Sequence, residues 1–211
     1  MADKETNRSL SNAEQRRLTA FEAVREAHEQ DGYTVVERTV SIVKANIFAI
    51  LLAIPVMAAA FLLFFLKNRG DVRAFGLSGS LVFLVSIFVL TVVHELIHGI
   101  TWGLAAENHF KSIEFGFMKE YLTPYCTCSE PLGRGKYILG ALMPLIVLGI
   151  IPTVIAIFHG SFLLLVIGVV MILAAGGDIL IVIKLLTYRS SAEEVLIYDH
   201  PTQAGCFIFE K

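Results

Sequence analysis

His94, Glu95 and His98 stand in the run His94-Glu95-Leu96-Ile97-His98. On a helix, residues four apart share a face, so both imidazoles can point at one ion. Two neutral imidazoles at this spacing suit zinc, and a glutamate between them suits proton abstraction from water. This is the H-E-x-x-H pattern of zinc metalloproteases. The run lies inside an apolar stretch, Leu81 to Trp102, that is long enough for a membrane helix. A carboxylate and two imidazoles are costly in hydrocarbon, so they need a reason to be there.

Zinc requires at least a third ligand. Within the four long apolar blocks of the chain the only acidic residues are Glu95 and Asp178. His94 is as far past Leu77 as Asp178 is past Ser161. With both helices running in the same direction, the two residues reach a common depth, ~25 Å along their helices at the α-helical rise. Gly176 and Gly177 precede the aspartate. Small residues let membrane helices approach closely, and glycine tolerates the local unwinding that would turn a carboxylate toward an ion. His94, His98 and Asp178 are therefore the candidate ligands of one Zn2+ per chain. They would leave one position open for a water whose pKa falls toward ~7. Glu95 would take its proton and pass it to the leaving amine. Two blander readings stand beside this one. One is a polar patch that glues two helices together; the other is a non-catalytic metal-binding sensor or scaffold.

Other chemistry-bearing residues carry weaker signals. Cys126-Thr127-Cys128 could offer soft ligands, but no second cluster completes a site, so a loop or strand role is expected. His200, in Tyr198-Asp199-His200-Pro201, reads as a turn element. His28, His109 and His159 read as surface or interface histidines. Pro55, Pro144 and Pro152 are expected to kink helices.

The elements that must position these residues are mostly membrane helices. The 211 residues fit one domain or one small bundle. With 17 basic and 19 acidic residues the chain offers no case for nucleic acid. Its 55% hydrophobic content and mean hydropathy of +0.69 exceed what soluble domains carry. The excess falls in blocks at about 47–66, 77–104, 137–158 and 161–187, each meeting the roughly 20-residue length of a transmembrane helix. The expected fold is an α-helical polytopic membrane protein. It has four transmembrane helices, a small membrane-associated β element and a polar N-terminal helix. The expected parts are an N-terminal segment, 1–44, a four-helix core, 45–187, and a C-terminal tail, 188–211.

Within the first part, Met1 to about Leu10 reads as a disordered tail. Ser11 and Glu14 form a capping box that opens a helix to about Glu29, with a weak apolar stripe of Leu18, Phe21 and Val24. Tyr33 to Val43 reads as a strand or an extended lead-in. Ile113, Phe115 and Phe117 alternate as in a strand, with Phe110 just upstream and Tyr121 to Cys128 as a pairing partner. Val195 to Tyr198 and Cys206 to Phe209 are two further short strands. A signal peptide is not expected, because the residues before the first block are mostly polar.

Lys and Arg crowd the N-terminal segment, the connection between the second and third helices, and the end of the fourth. The first outer connection holds Lys67, Arg69 and Arg73, and the His159-Gly160 turn holds neither residue type. This bias favours both termini in the cytoplasm of a multi-pass protein of the cytoplasmic membrane. Cys126, Cys128 and Cys206 then stay reduced. The expected partners are membrane lipid and a transmembrane or membrane-proximal peptide; the oligomeric state is left open.

Several segments together resemble a bacterial family of small membrane proteins described as putative zincin peptidases. They are His94 to Gly99, Pro124 to Leu132, Gly140 to Pro144, Gly176-Gly177-Asp178 and Asp199-His200-Pro201. The resemblance runs from about Gly32 onward, and the N-terminal helix looks like an addition. Thr127 stands where that family carries His. More distantly, the layout is similar to site-2 proteases, which place H-E-x-x-H on one helix, then a membrane-associated strand region, a third helix and an aspartate ligand. That resemblance implies His94, His98 and Asp178 as zinc ligands and Glu95 as base, although Gly177 and Ile179 depart from the Leu-Asp-Gly type sequence around that aspartate. It also implies hydrolysis of a peptide bond in or near the membrane. Because a helix hides its carbonyls, the substrate would unwind and add to an edge strand of the 110–128 region.

Overall fold

A computed structural model describes residues 10–69, 76–118 and 123–211, apart from the Ile42 side chain. The expected tail before Leu10, Arg73 of the first outer connection, and Tyr121 at the start of the expected second strand lie outside these residues. The described chain is mostly helical, with two small antiparallel sheets. In chain order it forms α1 (Asn12–Gln30), β1 (Thr34–Thr39), α2 (Ile42–Lys67), α3 (Leu77–Ala105), β2 (Ile113–Met118), β3 (Thr123–Cys128) and β4 (Leu132–Gly133). It continues with α4 (Arg134–Pro144), α5 (Ile151–His159), α6 (Phe162–Ala174), α7 (Gly176–Thr187), β5 (Val195–Asp199) and β6 (Gly205–Glu210).

Three helical stretches are long and apolar enough to cross a membrane: Val43–Lys67, Leu77–Ala105 and Arg134–His159. Their outward residues are apolar at helical spacing, as along α3 at Leu81, Leu84, Val85, Phe88, Val92 and Leu96. Such a face is at home against lipid and costly against water. The third stretch is α4 and α5 joined by a π-helical turn, Leu145–Ile150, that follows Pro144. Proline lacks the N–H that an α-helix needs, and the wider turn accommodates the loss. The fourth expected span is broken rather than continuous. α6 and α7 meet at Ala175 with a bend of 47° and count as one crossing only if taken together. The residues after the break are Gly176 and Gly177, the poorest helix formers in the block. Gly176 lies against Ala49 of α2, where an added Cβ would collide with the Ala49 side chain. The close approach expected of this glycine is thus to α2 rather than to α3.

The helices pack through three clusters. Phe64 of α2 is fully buried with Ala156, Leu165 and Val169 between α2, α5 and α6. Trp102, Tyr137, Ala141, Val182, Leu185 and Ile208 join α3, α4 and α7 to the larger sheet. That sheet has the order β1-β6-β5-β4, with Val36 opposite Ile208 and Ile197 opposite Ile208 across β6. It therefore takes strands from before the first span, from between the second and third, and from after the last. The third cluster holds α1 to this sheet. Phe21 stacks on Phe207 at 4.1 Å and lies 5.3 Å from Tyr198. The capping box at Ser11 and Glu14 is present and starts the helix one residue after the Ser.

The second sheet is the β2–β3 hairpin. It lies along α3, with the Phe115 side chain over Gly99 and Phe110 and Ile113 over Gly103. Phe110 itself sits in a 3-10 turn, His109–Ser112, ahead of the strand.

Candidate metal centre

α3 carries His94 and His98 one turn apart, both buried, with 7% and 3% of their surfaces exposed. α7 brings Asp178 to them. The break at Ala175 makes Asp178 a first-turn residue of a new helix. A helix N-terminus favours a carboxylate, which helps explain how an acid is tolerated in this apolar block. The Nε2 atoms of His94 and His98 are 3.2 Å apart. His94 Nε2 is 3.2 Å from Asp178 Oδ2, and His98 Nε2 is 3.6 Å from Asp178 Oδ1. One ligand atom from each of the three residues lies within 4.8 Å of the others.

These separations fit a bound zinc ion. Ligands at ~2.0–2.1 Å from a tetrahedral centre stand ~3.3–3.4 Å from one another. The tautomer fits as well. His98 Nδ1 is 2.9 Å from the Gly140 carbonyl, which can only accept, so in the neutral ring Nδ1 carries the proton and Nε2 presents a lone pair. Two ring nitrogens and a carboxylate oxygen thus converge on one point, as the ligands of a cation do.

The surroundings of His98 are rigid. Trp102, one turn along α3, stacks on its ring at 4.9 Å and 14° and also stacks on Tyr137 of α4 at 5.3 Å. The Trp102 indole N–H donates to the Tyr137 carbonyl at 3.1 Å. Gly140 lets the indole lie flat on α4, since a Cβ there would collide with Trp102 Nε1. The Tyr137 hydroxyl donates to Asp199 Oδ1 at 2.6 Å, and the Cys128 N–H donates to Asp199 Oδ2 at 2.8 Å. Burial pushes the Asp199 carboxyl up, although both of these bonds favour its charged form.

Glu95, between the two histidines, faces a cavity of about 570 Å³ shared with them. That volume is in the range of small-molecule and cofactor sites, ~300–1,000 Å³. Its walls are α3, α4, the start of α2, the hairpin, the α6–α7 break and the turn at 200–205, and Ser11 with Glu14 and Arg17 of α1 lines it as well. Arg17 is fixed there by bonds to the Pro201 carbonyl at 2.9 Å and to the Tyr125 hydroxyl. In β3 the residue opposite Phe117 is Pro124, which has no N–H to offer on either edge. Cys126 and Cys128, in the same phase, turn their N–H groups to the other edge. There Cys126 N–H faces Glu95 and Cys128 N–H meets Asp199.

The structure thus gathers Glu95, His94, His98 and Asp178 at one cavity. Cys126 and Cys128 belong to β3, and all three cysteines are free. Burial raises both thiols, Cys128 to about 12, so neither offers a thiolate near neutral pH. His200 is a turn element. Its Nδ1 accepts from the N–H groups of Thr202 and Gln203 at 3.2 and 3.0 Å, and it also lines the cavity. Sequence reasoning missed Trp102, Tyr137 and Asp199. Trp102 left a readable signal, since it is the single tryptophan and stands four residues beyond His98, on the same helix face.

No match was found among curated proteins or among solved structures. The histidines, Glu95, the hairpin and Asp178 all fall inside residues 87–192, which match the family described as "Putative zincin peptidase". With half of its length in that match, the chain belongs to this family, whose description implies a zinc-dependent peptidase.

Proposed function

We propose that the chain is a zinc-dependent endopeptidase that hydrolyses peptide bonds in or near the membrane, with Glu95 as general base. The observation that carries this reading is the convergence of three ligand-type atoms beside a cavity that also holds a carboxylate. His94, His98 and Asp178 would hold one zinc ion. When bound, zinc supplies Lewis acidity that polarises a carbonyl and makes a water easier to deprotonate. Glu95 takes the proton of that water and delivers it to the leaving amine. His98 is kept in its ligand tautomer by Gly140, and Trp102 keeps its ring from turning.

An extended peptide would lie along the cavity-side edge of β3. Its carbonyl would take the Cys126 N–H, and the Glu95 carboxylate would be released toward the water. The bond from Cys128 to Asp199 and the missing N–H of Pro124 leave Cys126 as the donor in the middle of that edge. The apolar outer faces of α2, α3 and α5 support residence in the cytoplasmic membrane with lipid as partner. A transmembrane or membrane-proximal peptide is the substrate class that such a site meets first. The basic residues flanking the spans support cytoplasmic termini.

The test is a Glu95→Gln variant of the purified protein in detergent. We expect wild-type zinc content and a loss of kcat of ~10²–10⁴-fold on a peptide library. A chelator should abolish wild-type cleavage, and added zinc should restore it. Cleavage retained by Glu95→Gln would remove this residue from the chemistry. A wild-type protein that binds zinc and cleaves nothing would favour the sensor or scaffold reading.

A further inference from the structure

We propose that Asp199 is a positioning residue for the metal centre, acting on His98 through Tyr137 and the first turns of α4. The proposal rests on the zinc-site reading above. Asp199 ends β5, and it lies outside residues 87–192. It does not touch the candidate ligands. It is buried, with 9% of its surface exposed, and each oxygen is committed to a different wall of the cavity.

Oδ1 holds the Tyr137 hydroxyl at 2.6 Å. Tyr137 stands at the start of α4, and two contacts that α4 makes with the His98 side pass through this stretch. One is the Gly140 carbonyl at 2.9 Å from His98 Nδ1. The other is the Tyr137 ring and carbonyl that clamp Trp102, whose indole stacks on His98. A small rotation of the first turns of α4 would move both together, and the Asp199–Tyr137 bond resists that rotation. Oδ2 holds the Cys128 N–H at 2.8 Å, two residues from Cys126, whose N–H faces Glu95. One carboxylate therefore ties the wall that orients a ligand to the wall that faces the base. Buried hydrogen-bonded chains of this kind act as units, so cutting either bond releases the rest. Groups that orient a metal-bound histidine are typically worth 10–100-fold in metal affinity.

The experiment is a double-mutant cycle on the full chain in detergent, read with zinc and cobalt(II) as probes. Asp199→Ala and Tyr137→Phe are each expected to weaken zinc binding ~10–100-fold and to shift the visible absorption of the cobalt(II) form. The double variant should be no weaker than Asp199→Ala alone, because both changes cut one chain. Asp199→Asn keeps one acceptor and should recover part of the loss. Wild-type zinc affinity and cobalt(II) spectrum in a folded Asp199→Ala protein would overturn the proposal, as would losses that simply add in the double variant. Should Asp199→Ala not fold, Tyr137→Phe decides. It keeps the ring stack and removes only the hydroxyl, and an unchanged cobalt(II) spectrum there overturns the proposal equally. These readouts do not depend on turnover. If Glu95→Gln still cleaved peptides, the general-base reading would fail while the cycle kept its meaning.

Discussion

At the scale of single residues, the site divides into groups that could donate to a metal and groups that hold them. Asp178→Ala is expected to lower zinc affinity well below that of Glu95→Gln, because it removes a converging oxygen rather than a neighbouring base. Metal analysis after equilibrium dialysis measures the difference, and equal zinc content in both variants would argue against Asp178 as a ligand. The donors were legible in the sequence for a plain reason. Helical geometry alone makes i and i+4 neighbours, so His94 and His98 are brought together by local spacing. Asp178 was legible because an acid in an apolar block is rare. Tyr137 and Asp199 were not, since their bond joins residues 62 positions apart and no local pattern encodes it. His200 adds a pH dependence at this scale. Burial lowers its pKa, against the pull of Glu37 at 3.4 Å. A depressed pKa means the folded state prefers the neutral ring, the form whose Nδ1 can accept from Thr202 and Gln203. Its contribution to stability is therefore complete above the unfolded value of ~6.5 and is lost as pH falls through the lowered value. The thermal unfolding midpoint should drop between pH 7 and 5. The drop should shrink in His200→Asn, whose amide oxygen can accept the same N–H groups at any pH, and an undiminished drop in that variant would assign the effect elsewhere.

At the scale of elements, the apolar blocks were readable as helices, and their internal breaks were readable only as possibilities. The composition of Ala174 to Gly177 permits a bend, but the 47° angle depends on what α6 and α7 pack against. One such packing is the crossing of α5 and α6. A Cβ on Gly168 would stand 2.9 Å from the backbone nitrogen of Thr153, so the two helices would have to separate. Gly168→Val should destabilise by ~1–3 kcal/mol, as overpacking does. Gly177→Ala meets nothing within 4 Å and should be neutral or slightly stabilising. Unfolding in detergent compares the two, and equal losses would show that glycine flexibility rather than space is at issue. α1 was legible from its capping box and weak stripe, while its berth was hidden. Phe21 is buried against Tyr198, Phe207 and Phe209 of strands far along the chain. Phe21→Ala should cost ~3–5 kcal/mol of that docking. Hydrogen exchange should then show α1 losing protection ahead of the sheet, and unchanged protection would mean that Arg17, Leu18, Val24 and His28 suffice to hold it.

At the scale of the whole molecule, strands from three separate stretches of chain close one sheet, with β4 between α3 and α4 as the middle contribution. For a chain that spans the membrane, as proposed above, this sheet sets a parity. Hydrogen-bonded neighbours lie on the same side of any bilayer, so a chain that leaves the sheet must return to it after an even number of crossings. From β1 to β4 the chain passes through α2 and α3, which is two. From β4 to β5 it passes through α4 with α5, which is one, and then through the bent pair. For the count to close, α6 and α7 must together make a single traverse, and a shallow dip that turned back would strand β5 on the wrong face. On that reading the residues before β1 and after β6 are expected in one compartment. Cysteine labelling from each face, with single cysteines placed at residues 31 and 211 and at the His159-Gly160 turn, reads the result directly. The first two should react from one face and the third from the other.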